Sequence, residues 1–190
     1  CLAWEGLRAD LTAKGLDFDY WLGMRGSPLP SNSLVVRRAD LEDADRKAVI
    51  QKYLRGWAMG SEFADINPRA AADIVFNALP TTKANYGARF GTESLMQIHR
   101  TFKGDMSKRS GWGEHDLPDW DNFFKVLKQI GQSSIDIDTA KYVSNDFIAD
   151  ANAFDKAKVK ADAEGYTLPA DLAEINMDDV EKNFYANVIN

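Results

Sequence analysis

The side chains able to do chemistry are few in this chain of 190 residues, with one cysteine and two histidines. Cys1 beside His99 or His115 would be a nucleophile and a base, yet none of the three stands in a recognisable catalytic pattern, so the inert reading is preferred. One cysteine makes neither an internal disulfide nor a cysteine-based zinc cage, and two histidines exclude a histidine-rich metal site. The acidic pairs Asp17/Asp19, Asp136/Asp138 and Asp178/Asp179 invite a metal or glycosidase reading. The first pair points to the solvent side of an alternating run. The other two stand at helix starts, where carboxylates complement the helix dipole. No acidic series matches a calcium loop with its central glycine. No Gly-rich phosphate loop, H-E-x-x-H or G-x-S-x-G motif is present.

Aromatic residues carry more information. Trp57, Trp120, Phe123, Phe124 and Phe147 fall on apolar helix faces and read as core. Trp4, Trp21 and Trp112 do not. Trp112 lies in Ser110-Gly111-Trp112-Gly113-Glu114-His115, a polar loop bounded by glycines, and an aromatic face with a few polar groups is what a small-molecule cleft needs. Trp112 is therefore a candidate ligand contact.

These residues must be held by elements that the periodicity predicts. A short helix from Glu5 to Ala13 is stopped by Gly15. Leu16, Phe18, Tyr20 and Leu22 alternate with Asp17, Asp19 and Trp21, the period-two signature of a strand with one buried face. Residues 23–31 form a loop through Gly26, Pro28 and Pro30, and Ser33 to Arg37 is a second short strand. From there the pattern is helical. Leu41 to Glu62 presents Ile50, Tyr53, Leu54 and Trp57 on one face. Asn67 caps a helix with Pro68 in its first turn, and Pro80 closes it. Leu95, Ile98 and Phe102 mark the next. The stripe from Trp120 to Ile130, ended by Gly131, is the strongest. Asp138 caps a further helix with Val143, Phe147, Ile148 and Ala151 inward, and Asp178 opens the last with Val180, Phe184 and Val188. Residues 81–91 and 103–118 read as irregular. The fold class expected is α/β: two front strands, then about six helices. Two strands make no independent sheet, so something else should complete it.

Lys and Arg number 23 against 29 Asp and Glu, a formal net charge of −6. An acidic chain disfavours nucleic acid as a partner, because phosphate binding needs a basic face. No apolar run approaches the ~20 residues that span a bilayer. The chain opens on Cys1-Leu2-Ala3-Trp4 without Met and without a signal-peptide pattern.

The order of segments resembles a family. Trp4-Glu5-Gly6, a strand, a Pro-bearing crossover and Leu34-Val35-Val36 precede a long helix with Arg46, Tyr53 and Trp57. Then comes Phe63-Ala64-Asp65-Ile66-Asn67-Pro68-Arg69-Ala70-Ala71. This passage resembles the "helix, Asn-Pro-x-x-Ala-Ala, helix" stretch of the periplasmic solute-binding proteins of ABC importers, in the nitrate/sulfonate/taurine and thiamine-pyrimidine-precursor group. Trp120 to Leu127 with Gly131 is similar to that group's "W-x-x-x-x-x-x-L-x-x-x-G". Val143-Ser144-Asn145-Asp146-Phe147 stands where it carries "Tyr-Thr-Asn-x-Phe/Leu", with Val and Ser replacing Tyr and Thr.

The resemblance implies the helix-rich C-terminal part of a two-lobed, type II periplasmic-binding fold. Residues 1–31 would be the end of the second lobe and the returning crossover, and 32–190 the helical closing portion of the first. The N-terminal half, with the signal peptide and most of the cleft, would lie outside this chain. The implied role is to capture a small molecule between lobes, with no cofactor, no metal and no catalysis, and to dock on transporter membrane subunits from the periplasm. Trp4 would stack on the ligand, Glu5 accept from a pyrimidine or amine, and Asn32 add a polar contact at the crossover. Glu5 favours a neutral or cationic heteroaromatic ligand over sulfonate or nitrate. Two alternatives stay open. One is a pyrimidine-precursor synthase of the same fold, which requires a cysteine cluster and a lysine-bound cofactor that one cysteine does not match. The other is a helical partner-binding module whose front strands pair with a second chain, since an exposed strand edge permits dimerisation.

Overall fold

The computed structural model describes residues 5–16, 18–21, 23, 29, 30 and 32–185. Eleven α-helices carry the fold of these residues: α1 (Glu5–Ala13), α2 (Arg38–Glu42), α3 (Ala44–Ile66), α4 (Pro68–Ala78), α5 (Pro80–Lys103), α6 (Leu117–Gln129), α7 (Thr139–Tyr142), α8 (Ile148–Ala151), α9 (Lys156–Glu164), α10 (Ala170–Ala173) and α11 (Met177–Tyr185). Among the described residues there is no strand and no sheet, which overturns the α/β, two-lobed expectation. Leu16 and Phe18, on the face expected to be buried, are exposed, and Tyr20 on that face is half-buried; Asp17 and Leu22 lie outside the described residues. The second expected strand is irregular chain with no ladder partner, and Leu34, Val35 and Val36 face solvent, Val35 at 87% exposure.

The helical punctuation follows local chemistry. Asp43 separates α2 from α3 and accepts the N–H groups of Asp45 and Arg46. The Asn67 side chain accepts the Ala70 N–H and donates to the Ala163 carbonyl at 2.8 Å, so one residue caps α4 and ties it to α9. Gly15 and Gly131 both sit at positive φ, where L side chains are disfavoured. Each is followed by a helix-closing pair of bonds: Leu16 N–H to Leu11 and Gly15 N–H to Thr12, then Gln132 N–H to Leu127 and Gly131 N–H to Lys128.

Pro80 does not close α4. It occupies the first turn of α5, and the stretch 81–91 expected to be irregular is helical, broken only at Gly87, whose φ of 78° and ψ of 167° kink the element. The long helix expected after Asp138 is instead the two single turns α7 and α8.

α4 and α5 form an antiparallel pair, with α1 against α5 and α9 against α3. The core joins Ala72 and Phe76 of α4, Met96 of α5, Leu172 of α10, Ile175, and Val180 of α11. Many of the buried residues are small: Ala58 and Ala64 of α3, Ala70, Ala71 and Ala72 of α4, and Ala163 of α9. No helix among the described residues is long and apolar enough to cross a membrane.

Candidate functional site

The most organised polar arrangement surrounds the glycine-bounded loop at residues 110–116, between α5 and α6. Two asparagines hold it by the same geometry. The Trp112 N–H donates to Asn152 Oδ1 at 2.9 Å, and Asn152 Nδ2 donates to the Trp112 carbonyl at 3.1 Å and to the Ile148 carbonyl at 2.9 Å. Three residues on, the His115 N–H donates to Asn145 Oδ1 at 2.8 Å, and Asn145 Nδ2 returns to the His115 carbonyl at 2.9 Å. Each carboxamide thus satisfies both backbone groups of one loop residue, as a strand neighbour would. Gly111 makes the first clamp possible, since a Cβ there would stand 2.3 Å from Asn152 Cγ.

Trp112 is 2% exposed, and its indole Nε1–H donates to Glu62 Oε2 on α3 at 2.6 Å. The His99 ring stands edge-on to it, centroids 6.4 Å apart. At the other end of the loop Trp120 Nε1–H donates to His115 Nδ1 at 3.2 Å, the rings nearly perpendicular. Both histidines of the chain therefore lie against tryptophans at this loop. Burial lowers the pKa of each below the ordinary imidazole value. For His99 the C=O of Leu95, which accepts from Nδ1, and Asp65 oppose the shift; for His115 Arg109 adds to it.

A second feature is a cavity of about 160 Å³ lined by Asp65, Met96, His99, Arg100, Met177 and Glu181, among others. It is large enough for one small ring. Its charged groups engage each other or neighbours: Arg100 pairs with Glu181, and Asp65 with Lys103 at 2.5 Å. Between α1 and α5 lies a third feature, the buried polar group of Arg8, Thr92, Glu93 and Gln97. Arg8 stacks over the Tyr20 ring at 5.5 Å, and Gln97 Nε2 donates to Glu93 Oε1 at 3.3 Å. Burial pushes the Glu93 carboxyl above the usual carboxylate range, against Arg89 and Arg8, which pull it down.

Of the predicted ligand residues, Asn32 and Trp112 are the two whose surroundings the structure describes. Trp4 lies outside the described residues, as does Cys1, and Glu5 is the first residue of α1. Asn32 is exposed on irregular chain, whereas Trp112 is sealed inside with its polar atoms engaged. Trp112 is accordingly corrected from a ligand contact to a packed anchor. Sequence reading missed Glu62, Asn145 and Asn152. Asn145 did stand in the quoted resemblance, but Asn152 and Glu62 are 40 and 50 residues from Trp112 and no local pattern marks them. Among the described residues no group of three or more His, Cys, Asp or Glu side chains is arranged to hold a metal ion. Comparison with protein-family models, with characterised proteins and with solved structures finds no match.

Proposed function

We infer that this chain is the helical part of a solute-binding component of an ABC importer, acting from the periplasm by capture and hand-over of a small molecule without making or breaking a bond. The inference concerns the role and not the α/β architecture, which the helices overturn. The observation that carries it is the passage Phe63 to Ala71. The residues that resemble the binding-protein family form the α3–α4 joint, with Asn67 capping one helix and bonding the Ala163 carbonyl of another. The ligand class is a pyrimidine or thiamine precursor, or else a sulfonate, taurine or nitrate-like solute. Its contacts fall to Trp4, Glu5 and Asn32, since Trp112 is consumed in packing.

Binding is tested by calorimetric titration of the protein with aminopyrimidines, taurine, alkyl sulfonates and nitrate, beside Trp4→Ala and Glu5→Gln. Saturable binding of one class, weakened by either substitution, supports the reading. No heat with any of them in the protein expressed from its whole gene overturns it.

A second reading has its own observation. Leu16, Phe18 and Trp21 expose much of their surface, Trp21 at 70%, as do Leu34, Val35 and Val36. Apolar side chains concentrated on one front segment fit a helical partner-binding module that presents it to another chain. Light scattering across a concentration series tests self-pairing: a monomer–dimer equilibrium abolished by Val35→Lys supports it, and a monomer at every concentration removes it.

A further inference from the structure

The contact between His115 and Trp120 tolerates only one protonation state. An indole nitrogen is a donor and never an acceptor, so the bond from Trp120 Nε1–H at 3.2 Å requires a bare lone pair on His115 Nδ1 and places the ring proton on Nε2. Charging the ring puts a second N–H on Nδ1, facing the indole N–H. Trp120 is 9% exposed and packed among Phe123 and Phe124, so the indole has little room to turn away. The backbone that carries the His115 ring is held in place, because Asn145 bonds both its N–H and its C=O. We propose that the His115–Trp120 pair is an acid-sensitive latch: protonation of His115 Nδ1 turns a donor–acceptor contact into donor facing donor, and breaks the tie between the His115 ring and the first turn of α6.

The surroundings bias the latch to stay shut at neutral pH. Burial and the Arg109 guanidinium both oppose charge on the ring. The nearby acidic groups have other tasks. Glu114 accepts the Ser110 N–H, Asp116 caps α6 through the Asp119 N–H, and burial, then Asp116, push the Asp119 carboxyl above the usual carboxylate range against Arg109. From the α7–α8 side the group presented is the neutral Asn145 carboxamide. His99 serves as the internal contrast. Its Nδ1 already donates to the Leu95 carbonyl at 2.9 Å, so a second proton goes to Nε2 and opposes no donor at Nδ1.

Magnetic resonance of the uniformly ¹⁵N-labelled protein between pH 8 and pH 4.5 tests this. The Trp120 indole N–H is identified by its loss in Trp120→Phe. The latch predicts that this signal shifts with the same midpoint as the His115 ring. It also predicts that the His115 amide, corrected for intrinsic exchange, loses roughly tenfold of its protection, the factor expected from one lost interaction. In His115→Asn the Oδ1 atom accepts the indole proton at every pH, so signal and protection stay flat. His99→Gln keeps the wild-type response. An indole signal that moves independently of the His115 ring, or a His115→Asn protein that responds to acid as the wild type does, overturns the proposal. Should His115→Asn fail to fold, the wild-type titration decides alone, because ring and indole are read in the same sample.

Discussion

Replacing Asn152 by alanine removes three hydrogen bonds at once: the acceptor for the Trp112 N–H and the donors to the Trp112 and Ile148 carbonyls. A typical bond of this kind contributes about 1 kcal/mol net, more when the orphaned partner stays buried. The expected loss is therefore about 3 kcal/mol, and Trp112 at 2% exposure leaves its backbone little access to replacement water. For a chain of this size that corresponds to a melting temperature lower by roughly 6–12 °C. Asn152→Asp separates the contributions. A carboxylate still accepts the Trp112 N–H but turns an acceptor towards two carbonyls, so it should be no more stable than the alanine variant at neutral pH. Urea titration followed by tryptophan fluorescence and circular dichroism measures both, with the midpoint shifted and the slope unchanged. A loss below about 1 kcal/mol for Asn152→Ala, or wild-type stability for Asn152→Asp, would refute the clamp as a source of stability.

Two further outcomes follow from packing and from burial of charge. Gly91→Ala places a Cβ 2.4 Å from Cζ of the buried Phe76 ring, so it should cost about 1–3 kcal/mol in the same titration and be partly rescued by Phe76→Leu. The pH dependence of stability should carry opposite signs from His99 and Glu93. His99 has a lowered folded pKa, so its contribution is complete above about 6.5 and is lost as pH falls towards the lower folded value. His99→Gln should flatten stability between pH 6.5 and 5. Glu93 has a raised folded pKa, so its ionisation opposes folding at neutral pH and that penalty disappears as the carboxyl protonates. Glu93→Gln should therefore stabilise at pH 7 and be neutral near pH 4, as read from thermal melts across that range.

Local chemistry was legible in the sequence, and pairing was not. The Asn67 cap, the Pro68 first turn and the Gly15 and Gly131 stops each depend on residues within a turn of one another. The alternation at 16–22 misled because a strand is stabilised by neighbours, and alternation describes only one face of a sheet that must exist for other reasons. Pro80 misled because a proline that ends one helix also suits the first turn of the next, and the α4–α5 link is a single residue, Leu79. For the candidate site the failure was one of distance. Glycines around Trp112 announced a special loop, which was right, but a flexible aromatic at a cleft mouth and a clamped aromatic in the interior have the same local sequence. Only the asparagines from beyond α6 distinguish them.

The buried alanines of α3, α4 and α9 make the tolerance of this fold to mutation one-sided. Ala58, Ala70, Ala72 and Ala163 leave no surface for added atoms, each being 0% exposed, while carrying a single methyl apiece to lose. Trimming any one to glycine forfeits roughly 1 kcal/mol, mostly backbone freedom. Enlarging one to valine or leucine adds atoms where none reaches solvent, and overpacking of that kind costs about 1–3 kcal/mol. Sequence drift at these positions is thereby channelled: a smaller residue costs less than a larger one.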